Sequence, residues 1–160
     1  MTSFPFLYRI RYTTFSIGGS IMTKLKLEDF PIKTYDKIRY GDTDRQGHVN
    51  NIHFSEFLET GRVEILYQPE HPLHKEQCSF VIVQNNLSLL NEIHWPGTVE
   101  IGSGVTKLGN SSITFYQQLF QNGVVVASAE TVIVHVDNIT HQSTPLSDHA
   151  RKQLTQYLIK

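Results

Sequence analysis

Between Ile52 and Leu66 the chain carries one helix-length apolar stripe, and almost everything after it has the period of a strand. Ile52, Phe54, Phe57, Leu58, Gly61, Ile65 and Leu66 recur at spacings of about three and four, which puts them on one face of a helix. Downstream, "SFVIVQNNLSLL", "TVEIGSGVTKL", "SSITFYQQLF" and "VVVASAETVIVHV" read as strands, the first bent or bulged near "QNN". Asn122-Gly123 between the last two is a two-residue hairpin signal. "KTYDKIRY" precedes the helix as a first strand, and "SDHARKQLTQYLIK" closes the chain as a short helix capped by Ser147. One long helix followed by a meander predicts an α+β fold, an antiparallel sheet wrapped around one central helix. Ala127 and Ala129 would leave one face of the last strand slim enough for that helix to cross it.

The 160 residues suffice for one domain with a sizeable core, placed at residues 25–160. Residues 1–24 are aromatic, basic and free of acids until the domain begins. They read as an N-terminal extension, disordered or wrongly annotated with Met22 as the true start, with a targeting segment as the competing reading. A net charge of -1 offers no basis for a nucleic-acid or anionic-membrane partner. No apolar run approaches the roughly 18–20 residues of a membrane span. The lone Cys78 fits a reducing, cytoplasmic setting and a packing role as a small hydrophobe.

Ahead of the helix stands "YGDTDRQGHVNNIHFSEFLETGR", Tyr40 to Arg62, which crowds turn-forming polar residues against the helix start. A helix N-terminus presents unpaired N–H groups and the positive end of its dipole, so it favours developing negative charge. Asn50 or Asn51 is a natural cap. Asp44 lies six residues before Asn50, and Gly47 between them allows a positive φ that would fold the carboxylate back toward those donors. A carboxylate beside such a helix end is a device for acyl transfer: the helix polarises a carbonyl while the carboxylate attacks it or activates water.

This stretch resembles the signature of hotdog-fold acyl-CoA thioesterases of the 4-hydroxybenzoyl-CoA thioesterase type. There an Asp-x-Asp-x-x-Gly and a His-Val-Asn-Asn-like segment lead into the central helix. The later stretch "EIHWPGTVEIGSGVTKLGNSSITFYQQLFQNGVVVASAETVIVHVD" is similar to that family's strand layout, and the likeness runs over roughly residues 27–155. The resemblance implies that Asp44 is the catalytic carboxylate and that the Asn51 N–H grips the thioester carbonyl. His48 matches a histidine of plant-type acyl-carrier-protein thioesterases, whereas Gln46 departs from their asparagine. Glu59 corresponds to an acidic helix residue, with catalytic support or a pairing with Arg39 or Arg62 both open. Gly47, Asn50 and Phe54 would meet the substrate, and Lys107, Ser111 and Ser112 would contact coenzyme A phosphates, although "KLGNSS" lacks the arginines some relatives carry there. The resemblance further implies a homodimer or homotetramer acting on an acyl-CoA or acyl-carrier-protein thioester without a cofactor. A pocket lined by Phe54, Phe57 and Leu58 would take the acyl group.

Competing readings are definite. Asp42 suits a turn better than a second catalyst. Asp42, Asp44, His48 and His53 have no recognised ligand spacing, so no metal is expected. His71 and His74 read as solvated residues after the helix. No Gly-x-Ser-x-Gly elbow supports a serine hydrolase. The alternative to a thioesterase is a non-catalytic acyl-binding module or subunit on the same fold. A hydratase is disfavoured, since its catalytic histidine segment is missing at the helix start.

Overall fold

A computed structural model describes residues 25–160; the expected extension at 1–24 lies outside them. Strand β1 (Ile32–Lys37) leads to helix α1 (Ile52–Leu66). Strands β2 (Cys78–Leu89), β3 (Thr98–Leu108), β4 (Ser112–Gln121) and β5 (Val124–Asp137) follow, and helix α2 (Asp148–Thr155) comes last. The five strands form one antiparallel sheet in the order β1-β3-β4-β5-β2, so the expected sheet and helix are both present. The β2–β5 register slips between Ile82 and Gln84, at the edge of the predicted "QNN" irregularity. Asn122 and Gly123 take φ of 51° and 75°, as a primed hairpin turn requires. The Ser147 hydroxyl accepts from the Ala150 N–H at 3.1 Å, capping α2 as expected.

Helix α1 lies on the sheet along its length. At its start Phe54, Phe57 and Leu58 pack with Ile101, Leu119, Ala127 and Ala129. At its end Ile65 and Leu66 pack with Val105, Phe115, Ile133 and Leu154 of α2. Each such burial is worth about 1.5–3 kcal/mol against exposure, so packing far outweighs any single cap in seating the helix. Ala127 and Ala129 belong to that core as expected, but the helix lies chiefly over β1, β3 and β4 and not across β5. Buried Cys78 sits at the start of β2, in the packing role expected of it. His71 is exposed as expected, but His74 is not fully solvated. It is partly buried against the Tyr67 ring at 5.8 Å, because the chain after α1 folds back onto the helix end.

The closest approach of helix and sheet falls at Gly61. A methyl group there would stand 2.5 Å from the Ser103 hydroxyl oxygen and 2.7 Å from both Gln117 Nε2 and Ile101 Cγ2, all fully buried. Those polar neighbours form a connected network. Gln117 Nε2 donates to the Leu58 carbonyl at 2.9 Å and to Ser103 Oγ at 2.8 Å, and its Oε1 accepts from Arg62 Nη1 at 3.0 Å. Burial pulls the Arg62 guanidinium below its ordinary pKa, and the nearby Glu59 charge opposes that pull. Gly61→Ala would gain about 0.5–1 kcal/mol of helix propensity. Overpacking a rigid contact costs about 1–3 kcal/mol, so the variant should be less stable by up to about 2 kcal/mol net. Urea denaturation measures the balance, and a more stable variant would show that the sheet gives way.

Candidate active site

Helix α1 begins at the end of the sheet where β1 finishes opposite the start of β3, through the pair Lys37–Thr98. The loop that joins β1 to α1 is folded on itself by its own polar groups. The Asp44 N–H donates to the His48 carbonyl at 2.8 Å, and the Gly47 N–H donates to the Asp44 carbonyl at 3.0 Å. Asp44 Oδ1 accepts from the Gln46 N–H at 2.8 Å and faces the His48 N–H at 3.4 Å, an Asx-type turn. Gly47 has φ +83°, the conformation its presence in the loop predicted. One carboxylate oxygen is thereby committed to the turn. The other, Oδ2, has no hydrogen-bond partner among the described residues.

Asp42 behaves as a turn residue: it is buried, and its carboxylate accepts from the Arg39 N–H at 2.7 Å. Its carbonyl accepts from the Asn50 N–H at 2.8 Å, which fixes the entry of the helix. The cap itself is Asn50, whose Oδ1 accepts from the Ile52 N–H at 3.2 Å. Asn51 does not cap through its side chain, because its backbone is already helical, with φ -56° and ψ -24°. The His53 and Phe54 N–H groups turn back to the carbonyls of Asn50 and Asn51. The Asn51 N–H has no acceptor among the described residues.

A cleft of about 310 Å³ opens at this helix end, lined by Asp44, His48, Val49, Asn51, Phe54 and the segment Leu89–Glu92. Asp44 is exposed, yet it borders this cleft. His48 is half-buried, with Nε2 3.3 Å from a Glu92 carboxylate oxygen. Of the predicted site residues, Asp44, His48, Asn51 and Phe54 therefore line one cleft, with Gly47 and Asn50 shaping its loop.

The others stand apart. Glu59 is exposed and lines a separate groove with Asp36, Arg39 and Glu56, one to two turns farther along α1. It forms no ion pair within 4.0 Å with Arg39 or Arg62 among the described residues, though its charge acts on Arg62. Leu58 is sealed in the core, and Phe57 borders the Glu59 groove, so neither lines the Asp44 cleft as expected. Lys107, Ser111 and Ser112 lie where β3 meets β4, at the far end of β3, about 33 Å along the strand from its start. An arginine does serve that turn, but from elsewhere in the sequence. Arg151 of α2 donates to the Gly109 and Asn110 carbonyls, each at 2.7 Å. Sequence reasoning also missed the cleft wall Leu89–Glu92 and, just beyond it, His94. Their signal was the alternation Glu92-x-His94, which on extended chain sets both side chains on one face.

Comparison with known proteins gives the family and the fold. Residues 38–154 match the family model of the Thioesterase-like superfamily. The chain belongs to that superfamily. Its fold is that of the hotdog thioesterases. A thioesterase structure from Bacillus stearothermophilus, there called predicted, is 30% identical at a TM-score of 0.72, over 79% of this chain and 95% of that one. A Thermus thermophilus thioesterase solved with coenzyme A and zinc is 25% identical at a TM-score of 0.68, covering 79% and 93%. DHNA-CoA thioesterase from Staphylococcus aureus, 16% identical at a TM-score of 0.68 over 78% and 87%, shares the fold. No curated protein matches the sequence. No described helix is long and apolar enough to cross a membrane.

The two asparagines should separate by experiment. Asn50→Ala should cost about 0.5–2 kcal/mol, the usual value of a lost cap, whereas Asn51→Ala should leave stability nearly unchanged. Thermal melts of the two variants decide which residue caps α1.

Proposed function

We propose that this thioesterase-superfamily protein hydrolyses acyl-CoA thioesters, with Asp44 as the reacting carboxylate and the Asn51 N–H as the carbonyl donor. The observation that carries the reading is the pairing of two unspent groups in one cleft. Asp44 Oδ2 and the Asn51 N–H both lack partners among the described residues, while the N–H groups of Asp44, Gln46, Gly47, His48, Val49 and Asn50 are hydrogen-bonded. The first turn of α1 contains no acidic residue, so no local carboxylate quenches the positive end of the helix dipole.

A thioester carbonyl oxygen held on the Asn51 N–H would become more electrophilic at carbon. Asp44 either takes the proton from a water as its oxygen adds, or adds first and yields an anhydride that water opens. In both routes the C–S bond breaks, the electron pair leaves with sulfur, and the thiol recovers a proton. The acid and free thiol are the products. His48 and Phe54 form the cleft wall beside the reacting carbon. The coenzyme A held by the Thermus relative supports coenzyme A as the thiol.

The reading includes a homodimer. Strand β2 is an edge strand of twelve residues with Val81, Ile82, Val83 and Leu89 exposed. A long apolar edge of that kind aggregates unless it is paired. Pairing β2 with β2 of a second copy satisfies it, and brings that copy beside the cleft wall, which continues β2. Lys107, Ser111 and Ser112, remote from Asp44 in one chain, then serve coenzyme A phosphates only from a neighbouring copy.

Asp44→Asn should lower hydrolysis across a panel of short, long and aromatic acyl-CoAs by at least about 10²–10³-fold, comparable to losing an oxyanion donor. Its melting temperature should stay near that of the parent. Undiminished turnover would refute the assignment, and a parent inactive on every thioester would favour a binding module. The dimer has its own test: light scattering coupled to size exclusion should give twice the chain mass for the parent and one chain mass for Val81→Lys/Val83→Lys.

A further inference from the structure

We infer that His48, Glu92 and His94 form a binding site for a divalent transition cation of the zinc class at the mouth of the Asp44 cleft. The three side chains converge on one Glu92 oxygen. His48 Nε2 lies 3.3 Å from Glu92 Oε2, and His94 Nε2 lies 3.4 Å from the same atom. All three ligand atoms fall within 4.8 Å of one another. Around a tetrahedral zinc with bonds of about 2.0–2.1 Å, neighbouring ligand atoms stand about 3.4 Å apart. Two of the three edges already have that length. The third, His48 to His94, is at most 4.8 Å and would close by a rotation of the exposed His94 side chain.

The backbone explains why these residues meet. His48 and His94 face each other in an isolated antiparallel bridge, which sets their side chains on the same side about 5 Å apart at Cβ. The neighbouring Val49 N–H donates to the Ile93 carbonyl at 2.8 Å, fixing the register. Glu92, two residues before His94, points to that same side. The His94 backbone is held at both ends by one buried amide. Gln121 Oε1 accepts from its N–H at 3.0 Å, and Gln121 Nε2 donates to its carbonyl at 2.7 Å. The ligand set is therefore mounted on a fixed frame, while its three side chains reach solvent.

Two imidazoles with one carboxylate select a borderline cation over magnesium or calcium, which prefer oxygen-only shells. Three protein ligands leave a fourth position for water or ligand. His48 and Glu92 also line the Asp44 cleft, so an ion here would tie the catalytic-loop segment to the β2–β3 connection across its mouth. The inference stands on this geometry and not on the proposed activity. Zinc binding without hydrolysis, or hydrolysis without zinc binding, would each fail one reading and leave the other.

Titration of the full chain, stripped of metal, with zinc chloride alone should show one saturable site per chain by calorimetry. Cobalt(II) in its place should give the visible absorption of a low-coordinate N₂O site. His94→Ala and Glu92→Gln should each weaken zinc binding by about 100-fold or more, beyond the 10–100-fold typical of merely losing a group that orients a ligand. His149→Ala, an exposed histidine on α2, should bind as the parent does. Circular dichroism of the metal-free variants shows whether each is folded. Absence of saturable binding by the parent overturns the inference, and so does equal affinity in folded His94→Ala and His149→Ala.

Discussion

The seating of α1 against the sheet is the contact on which the rest depends. Only a hydrogen atom fits between the helix at residue 61 and the Ser103–Gln117 pair beneath it. That closeness lets Gln117 reach the Leu58 carbonyl and gives the buried Arg62 a partner. The helix is thus held by its middle, and its direction across the strands is set by packing on both sides of Gly61. Its N-terminus is aimed, as a consequence, at the end of the sheet where the β1–α1 loop emerges.

At that end the chain spends its hydrogen bonds on making a shape. Asp42 closes the turn before the loop, Asn50 starts the helix, and Asp44 commits one oxygen to holding its own segment. A loop of mostly exposed residues is tied to itself by the N–H groups of Asp44, Gln46, Gly47, His48 and Asn50, and to the β2–β3 connection by that of Val49. Against that background, the free carboxylate oxygen and the free Asn51 N–H stand out as groups whose partner comes from outside. Asp44 thus holds its own turn with one oxygen and leaves the other facing the cleft.

The opposite wall has a different origin. Leu89–Glu92 reach the cleft, and His94 stands just beyond it, because β2 runs the length of the sheet and returns through a connector bridged to His48. The exposed apolar side chains of β2 sit on the same strand that supplies this wall. Assembly through that edge would therefore bear directly on the site, coupling oligomeric state to the space a ligand finds.

Period and turn chemistry made the sheet, the helices, the Asn122-Gly123 hairpin and the Gly47 turn legible in the sequence, because each rests on interactions within a few residues. Likeness of motif pointed to Asp44 and Asn51 for the same reason: both lie on one continuous stretch. What sequence could not assign was anything requiring two distant segments to meet. Glu59 was grouped with Asp44 but faces another groove, since a helix rotates its side chains by about 100° per residue. Lys107, Ser111 and Ser112 stand a strand length from Asp44 within one chain, so only a second copy could bring them to it. Glu92 and His94 were passed over, although they stand against His48. Local order was written in the chain; the company each side chain keeps was decided only when strand pairing brought residues more than forty positions apart onto one face.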